Sequence, residues 1–339
     1  MTLDVVTVQT ELARRLLNSY GSHSLAFQTL QKGIRHHFVG DCGFLAYASS
    51  GSTDFVLSDP VCSLSNMELV IDSFLSVARN PVFVQVHEAT ARVLENRHFA
   101  STPFGIETEL SLPYALKGGA KADVRNLNNA AIRAGVEVTE LLENDRRLIL
   151  NSGLAAGISS NGRQRFMHGL SFLARLADPD IDIDTRFFGG FCNGQLVGVS
   201  AFDPMYDSGA VVGYAEVVPL RTINSPKGTR VRVLLEAMQQ FAREDVALVN
   251  LGLSPFYRRS TAGLSNREAG PISHRDGIAG RLFDGVYRYG SIAFNFEGLA
   301  LHKRRFRGYE TTVYYVSRSS IPVLQLVRLY RLITSGRVP

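Results

Sequence analysis

The chain has 339 residues, 45% of them hydrophobic and 20% charged, the balance of a globular protein long enough for two cores. A net charge of +5 favours anionic partners such as nucleic acid, anionic lipid or a phosphorylated small molecule, without choosing among them. No run approaches the ~20 apolar residues of a membrane span, Asp4 and the lack of a long apolar core argue against a signal peptide, and Cys42, Cys62 and Cys192 lack metal-type spacing, so free thiols in a reducing, cytoplasmic setting are expected.

Taken in order, residues 8–20 read as an amphipathic helix with Leu12, Leu16 and Leu17 on one face. Phe44–Ala48 and Asp54–Ser58 read as short strands joined by a Gly/Ser turn, and Asn66–Arg79 has helical spacing. Pro81–Val86 (PVFVQV) reads as a buried strand, Glu88–Asn96 as a helix, Thr108–Leu112 as an alternating strand, 121–134 as a helix ending near Gly135, and Val136–Leu142 as a strand. Residues 145–177 read as helical, with an interruption near Ser159–Gly162, and Asp178–Asp184 as an acidic loop.

In the second half, Arg186–Cys192 and Gln195–Phe202 flank Asn193-Gly194, the strongest short hairpin signal. Ala210–Val218 supplies a third strand, Pro219–Gly228 a basic loop, Thr229–Arg243 an amphipathic helix, Val246–Leu251 a buried strand and Gly280–Tyr289 a further helix. Both halves share an order of meander, loop, helix, buried strand, helix and late strand. That order resembles the N-acetyltransferase (GNAT) architecture, in which a helix N-terminus cradles an anion. The expected fold is therefore α/β (α+β): two tandem GNAT-like modules, each a mixed, mostly antiparallel sheet flanked by helices. The first spans 1–143, a helical linker 144–180, and the second 181–339. The loop holds Arg221, Lys227 and Gly228, followed by Arg230 and Arg232, but lacks the paired glycines with which such loops hold a CoA pyrophosphate.

The densest positive charge lies in Phe294–Tyr315 (FNFEGLALHKRRFRGYETTVYY). Phe294, Phe296, Leu299, Leu301 and Phe306 frame His302, Lys303, Arg304, Arg305 and Arg307, so the cations are expected on a fixed backbone suited to a phosphate-rich ligand. Near the end, Ile321–Ile333 reads as a basic amphipathic helix, packed on the core or docked on an anionic membrane.

Several segments together resemble one family, the C-terminal synthase domain of phosphatidylglycerol lysyltransferases and alanyltransferases. FNFEGLALHKRRF is similar to that family's Tyr-Asn-Phe-x-Gly-Leu-Arg-x-Phe-Lys-x-Lys-Phe signature, VNLGLSPF (Val249–Phe256) to its Asn-Leu-Gly-Met-Ala-Pro, and LSDPV (Leu57–Val61) to its Leu-Gly-Asp-Pro-Val. Ala300 stands where the family has Arg, and His302 where it has an aromatic residue. Where the family has Asp-Leu-Met-Arg, the chain reads Val218-Pro219-Leu220-Arg221, so the acid is absent unless Glu216 or Asp203 supplies it.

The resemblance implies transfer of an amino acid from aminoacyl-tRNA to the hydroxyl of phosphatidylglycerol or a related anionic lipid, with a soluble acceptor or a non-catalytic module binding tRNA or anionic membrane as alternatives. It implies no metal or nucleotide cofactor, and a cytoplasmic protein with peripheral contact at the inner face of the membrane. Lys303, Arg305 and Arg221 are the candidate catalytic cations. Asn295, Glu297, Tyr257, Arg258, Lys227 and Arg230 are candidate substrate-binding residues, beside Arg259. His274 and His302 are candidate bases or structural residues, the latter with a pKa lowered by the surrounding cations.

Overall fold

The computed structural model describes residues 2–142, 145, 184–217, 219–257, 296–319 and 323–334. The expected helices over 145–177 and Gly280–Tyr289 lie outside them, Asp145 apart. The first half contains α1 (Thr2–Tyr20), β1 (Arg35–Phe38), β2 (Gly43–Ser50), β3 (Thr53–Leu57), β4 (Val61–Cys62), α2 (Met67–Leu75), β5 (Val82–Val86), α3 (Glu88–Glu95), β6 (Ala100–Ser111), α4 (Ala122–Arg133) and β7 (Glu137–Leu141). The second contains β8 (Arg186–Cys192), β9 (Gln195–Asp207), β10 (Ala210–Glu216), β11 (Leu220–Arg221), α5 (Thr229–Arg243), β12 (Leu248–Pro255), α6 (Phe296–Arg304), β13 (Tyr309–Ser317) and α7 (Val323–Thr334).

Local chemistry explains these elements. Strand β5 is apolar but for Gln85 because both its faces are covered. Val82 and Val84 pack into one core with Ala13 and Leu16 of α1, whereas Phe83 and Val86 pack into another with Val70, Ile71 and Phe74 of α2 and Leu94 of α3. The step in the alternation falls at Gln85, whose φ is 61°. The β8–β9 turn is built by Asn193 and Gly194, both left-handed, as a tight hairpin that follows strand twist requires. Helix α5 buries Val233, Leu234, Ala237, Met238 and Phe241, the last stacked on Tyr214 at 4.2 Å and set edge-on to Phe188 and Phe202. Each large side chain so buried contributes about 1.5–3 kcal/mol of transfer free energy.

The described strands form one sheet in the order β1-β2-β3-β5-β13-β6-β12-β10-β9-β8-β7, with β4 on β2 and β11 on β9. Two neighbouring pairs are parallel, β3 with β5 and β10 with β12; the others are antiparallel. Strand β13 lies between β5 and β6, and β7 pairs with β8, so each half of the chain supplies a strand to the other's part of the sheet. Strand β6 begins eight residues earlier than its alternation predicts. Pro103 and Gly105 interrupt the pattern, but β13 pairs along Ala100–Glu109, and tertiary pairing overrides the local signal. Gly105 is required there, since a Cβ would stand 2.5 Å from the Ser254 carbonyl oxygen.

Candidate active site

The carboxyl ends of the parallel pairs carry the polar chemistry of the molecule. Between β10 and β12 the pairing stops at Ala215 and Asn250. Beyond it β12 changes register, and Gly252 turns left-handed with φ of 72°. Asn250 builds this turn by accepting the Gly252 N–H at 2.7 Å on its side-chain oxygen. Lys303 enters here from α6. Its side chain is held by the burial of Ala300 and Phe306 on either side, it is 4% exposed, and its Nζ donates to the Leu253 carbonyl at 2.8 Å.

Glu216 ends β10 and accepts from Ser200 Oγ at 3.1 Å. Its other oxygen lies 3.7 Å from Arg230 in the first turn of α5. Burial and the Arg230 charge push the Lys303 amine down to about 7, with Glu216 and Glu107 pulling the other way. A buried amine that loses its proton near neutrality is chemically poised as a general base. His302 next to it is pushed down to about 2 by burial and by Arg230, Lys303 and Arg305, so it stays neutral, with its ring edge-on to Phe306.

Outside this centre, α4, the loop before α5 and the end of α6 enclose a basic groove. A cavity of about 460 Å³ is lined by Asp123, Asn126 and Arg133 of α4 together with Lys227 and Arg305. It shares Asp123 and Arg305 with a second cavity of about 410 Å³ that adds Arg304 and Arg307. Helix α4 also lies directly against the start of α5, where a Cβ on Gly228 would stand 1.9 Å from the Leu127 carbonyl oxygen. The helix N-terminus expected to cradle an anion is thus packed against protein, and the exposed cations lie beside it.

The other parallel pair, β3 with β5, ends at Leu57 and Val84. Ser58 and Gln85 follow, both left-handed with φ of 61°. Beyond them lies a buried chain of hydrogen bonds. Asp59 accepts the His87 backbone N–H at 2.9 Å and its Nδ1–H on the other oxygen. His87 Nε2 faces Glu107 at 3.7 Å. Glu107, 1% exposed on β6, accepts from Ser24 Oγ at 2.9 Å, Gln85 Nε2 at 2.7 Å and Asn250 Nδ2 at 2.9 Å. Burial works against every charge in this chain, yet the partners prevail. Glu107 is held down at about 2 and Asp59 well below the usual carboxylate range, while His87 is raised well above 6.5 and stays an imidazolium.

The predicted site residues are therefore divided among several places. Lys303 and Arg230 meet at the β10–β12 opening, whereas Arg305 and Lys227 meet in the groove. Helix α6 ends at Arg304, and the turn that follows leaves Arg305 lining the groove while Lys303 is buried. Arg221 is exposed on β11, donates to Ser225 Oγ at 3.2 Å, and is felt by Arg230 only as a neighbouring charge. Tyr257 is packed in the core, where its hydroxyl accepts from Arg304 at 2.7 Å. Of the two acids weighed as stand-ins near Arg221, Glu216 faces Arg230, while Asp203 accepts from Thr185 at 2.7 Å. Arg258, Arg259, His274 and Asn295 lie outside the described residues, as does the side chain of Glu297. Sequence reasoning missed Asp59, His87, Glu107 and Asn250. The available signal was Glu107 and Glu109 alternating with apolar residues inside a strand. Among the described residues, no group of His, Cys, Asp and Glu side chains has the geometry of a metal site, and no helix is long and apolar enough to cross a membrane.

Parallel strands that part around a polar centre, repeated in two halves of a mostly antiparallel sheet, define a tandem GNAT-like acyltransferase. The chain belongs to the family "phosphatidylglycerol lysyltransferase, C-terminal", whose model matches residues 14–317. Among solved structures it is similar to the C-terminal domain assigned to a lysylphosphatidylglycerol synthetase of Agrobacterium fabrum, at 17% identity and a TM-score of 0.78 over 97% of this chain and 98% of that one. It is also similar to L-PGS from Bacillus licheniformis, at 17% identity and 0.75 over 95% and 96%. A conserved protein of unknown function from Bacteroides thetaiotaomicron follows at 13% and 0.57, over 89% and 91%. At these identities the likeness is one of fold. Compared with curated protein sequences, the chain has no significant match.

Proposed function

We propose that the protein moves an amino acid from the 3′ end of an aminoacyl-tRNA to a hydroxyl of phosphatidylglycerol or a related anionic lipid. The observation that carries this reading is the Lys303 amine, buried where β10 and β12 part and neutral from about pH 7 upward. The donor is already an activated ester, so the protein's task is to juxtapose two substrates and move one proton. The neutral Lys303 amine takes the proton from the acceptor hydroxyl as its oxygen attacks the ester carbonyl carbon. The bond from that carbon to the tRNA ribose oxygen then breaks, and the proton passes to the departing oxygen. Arg230 offers positive charge to the oxyanion formed in between. Lys227, Arg305 and Arg133 in the groove suit the terminal phosphates of the donor.

Helix α7 suits the acceptor side. It buries Leu329 and Leu332 but exposes Leu324 and Val327, beside Arg328 and Arg331, an arrangement compatible with peripheral contact on an anionic membrane.

The test is a transfer assay with tRNA charged with labelled amino acids, with and without phosphatidylglycerol vesicles. Label is expected in the lipid phase, abolished by RNase pretreatment of the donor and by Lys303→Ala. Label that stays in the aqueous phase on a small molecule would replace the lipid by a soluble acceptor. Undiminished charged tRNA under all conditions, with binding retained, would leave a module that binds without catalysis.

A further inference from the structure

The β3–β5 centre and the β10–β12 centre are joined by one residue. Asn250 gives its amide N–H to Glu107 at 2.9 Å and to Glu109 at 3.3 Å, and uses its side-chain oxygen to hold the Gly252 N–H at 2.7 Å. The Gly252 turn is what presents the Leu253 carbonyl to Lys303 Nζ at 2.8 Å. A path of polar contacts thus runs from Asp59 through the side chains of His87, Glu107 and Asn250, and then through the backbone of Gly252 and Leu253, to the amine.

From this geometry we infer that Glu107 and Asn250 are positioning residues for Lys303, with the Asp59–His87 pair fixing Glu107 from the far side. The inference rests on Lys303 being the general base of the proposed transfer, and it adds what sets that base in place.

Two physical effects follow from the path. One is geometric. An Asn side chain can orient a backbone turn only if its own amide is held, and here two carboxylates hold it. Glu107 in turn is saturated, with donors from Ser24, Gln85 and Asn250, so it cannot swing away. The other effect is electrostatic. The charges that act on the amine are Glu107 from β6, Glu216 from β10 and Arg230 from α5; His302 beside it is neutral. Arg230 opposes protonation of the amine, and Glu107 is one of the two anions that favour it. The Glu107 charge therefore keeps the amine from falling below the neutral range, where it would be too weak a base to matter.

The chain of hydrogen bonds would look the same if it were only a clasp holding β6 to β5 and β12. The two roles differ in what happens to the amine. Lys303 can be titrated without any transfer reaction, by measuring its rate of reductive methylation against pH and quantifying the modified peptide by mass spectrometry. In the unaltered protein the midpoint is expected near 7. Glu107→Gln keeps the size and removes the charge, and should move the midpoint down by about one pH unit, raising the neutral fraction of the amine at pH 6 about fivefold. Asn250→Ala keeps Glu107 charged and removes the oxygen that holds the Gly252 N–H. It should raise the maximal labelling rate of Lys303 several-fold, as the amine leaves the Leu253 carbonyl.

Both variants are first checked for cooperative unfolding; should Glu107→Gln not fold, Asn250→Ala decides alone. A folded variant in which Lys303 titrates and reacts as in the unaltered protein would overturn the inference. A shifted titration with no transfer activity in any form of the protein would keep the inference and overturn the proposed reaction.

Discussion

The two parallel pairs use the same backbone device for different ends. At β3–β5 the opening is closed by a satisfied chain of charges, Asp59, His87 and Glu107, with Ser58 and Gln85 forced into left-handed backbone. At β10–β12 it is occupied by a single amine whose hydrogen-bond partner is a backbone carbonyl, and the left-handed residue is Gly252. The first opening is paired and stabilised as charged; the second holds a group whose charge is penalised. A repeated fold thus separates a centre of paired charges from one that holds an amine at an energetic cost, and the proposed reaction uses the second.

The strongest way to break this comparison is Lys303→Met. Met fills similar space and removes the amine, so transfer should fall by about 10²–10⁴-fold, the range of a lost general base, while cooperative folding persists. Single-turnover rates with saturating donor check it. A loss of less than about tenfold would place the proton transfer elsewhere.

Next in size is the groove. Arg305→Glu and Lys227→Glu should each weaken donor binding by about tenfold or more and reduce the salt dependence of binding by about one phosphate contact. Arg92→Ala on α3, an exposed cation paired with Glu88, is the control that leaves both unchanged. Filter binding between low and moderate salt separates them. Lys303→Met should leave donor affinity intact, which distinguishes groove from centre.

Much of this division was legible before the structure. Residues Thr229–Arg243 form the helix their apolar spacing predicts, Asn193-Gly194 makes the hairpin, and PVFVQV is the doubly buried strand. The cations of α6 were legible as charges but not as directions. Which of Lys303 and Arg305 points inward depends on Ala300 and Phe306 each finding a separate core, and those cores include strands remote in sequence. Glu107 was hidden because an acid in a strand ordinarily marks a solvated face. Its partners Ser24, Gln85, His87 and Asn250 are remote in sequence, and no local pattern encodes their meeting.

pH sharpens the comparison further, since His87 and Lys303 respond with opposite signs above neutrality while the two carboxylates act in acid. Glu107 and Asp59 have folded values below their free ones. Their stabilisation is present above about 4.5 and lost as pH falls through that value toward 2. His87 is raised, so its contribution is full below 6.5 and lost as pH climbs through its folded value. Lys303 is lowered from 10.5 to about 7. The unfolded chain binds its proton more readily across that window, so burying it costs most below about 7, and stability recovers as pH rises toward 10.5. The advantage of Lys303→Met in unfolding free energy over the unaltered protein should therefore be greatest near pH 6 and shrink by pH 10. Glu107→Gln should instead flatten the acid limb. Urea titrations across pH 3–10 test both, and parallel curves for the two variants would remove the distinction.

The smallest expected effect concerns the turn itself. Gly252→Ala makes only ordinary van der Waals contact, with Lys303 Nζ 3.7 Å and the Glu216 carbonyl 3.8 Å from the added Cβ, so the cost is that of a left-handed residue alone, about 1–2 kcal/mol. Gly228→Ala is a useful contrast, since there the Cβ collides with the Leu127 backbone and α4 has to move. If the second opening tolerates a left-handed Ala as the first tolerates Gln85 and Ser58, then transfer activity should survive in proportion to the folded fraction. If activity instead falls several-fold at full folding, the position of the Leu253 carbonyl is critical to within a few tenths of an ångström. The glycine would then be set by the placement of the amine more than by the needs of the strand.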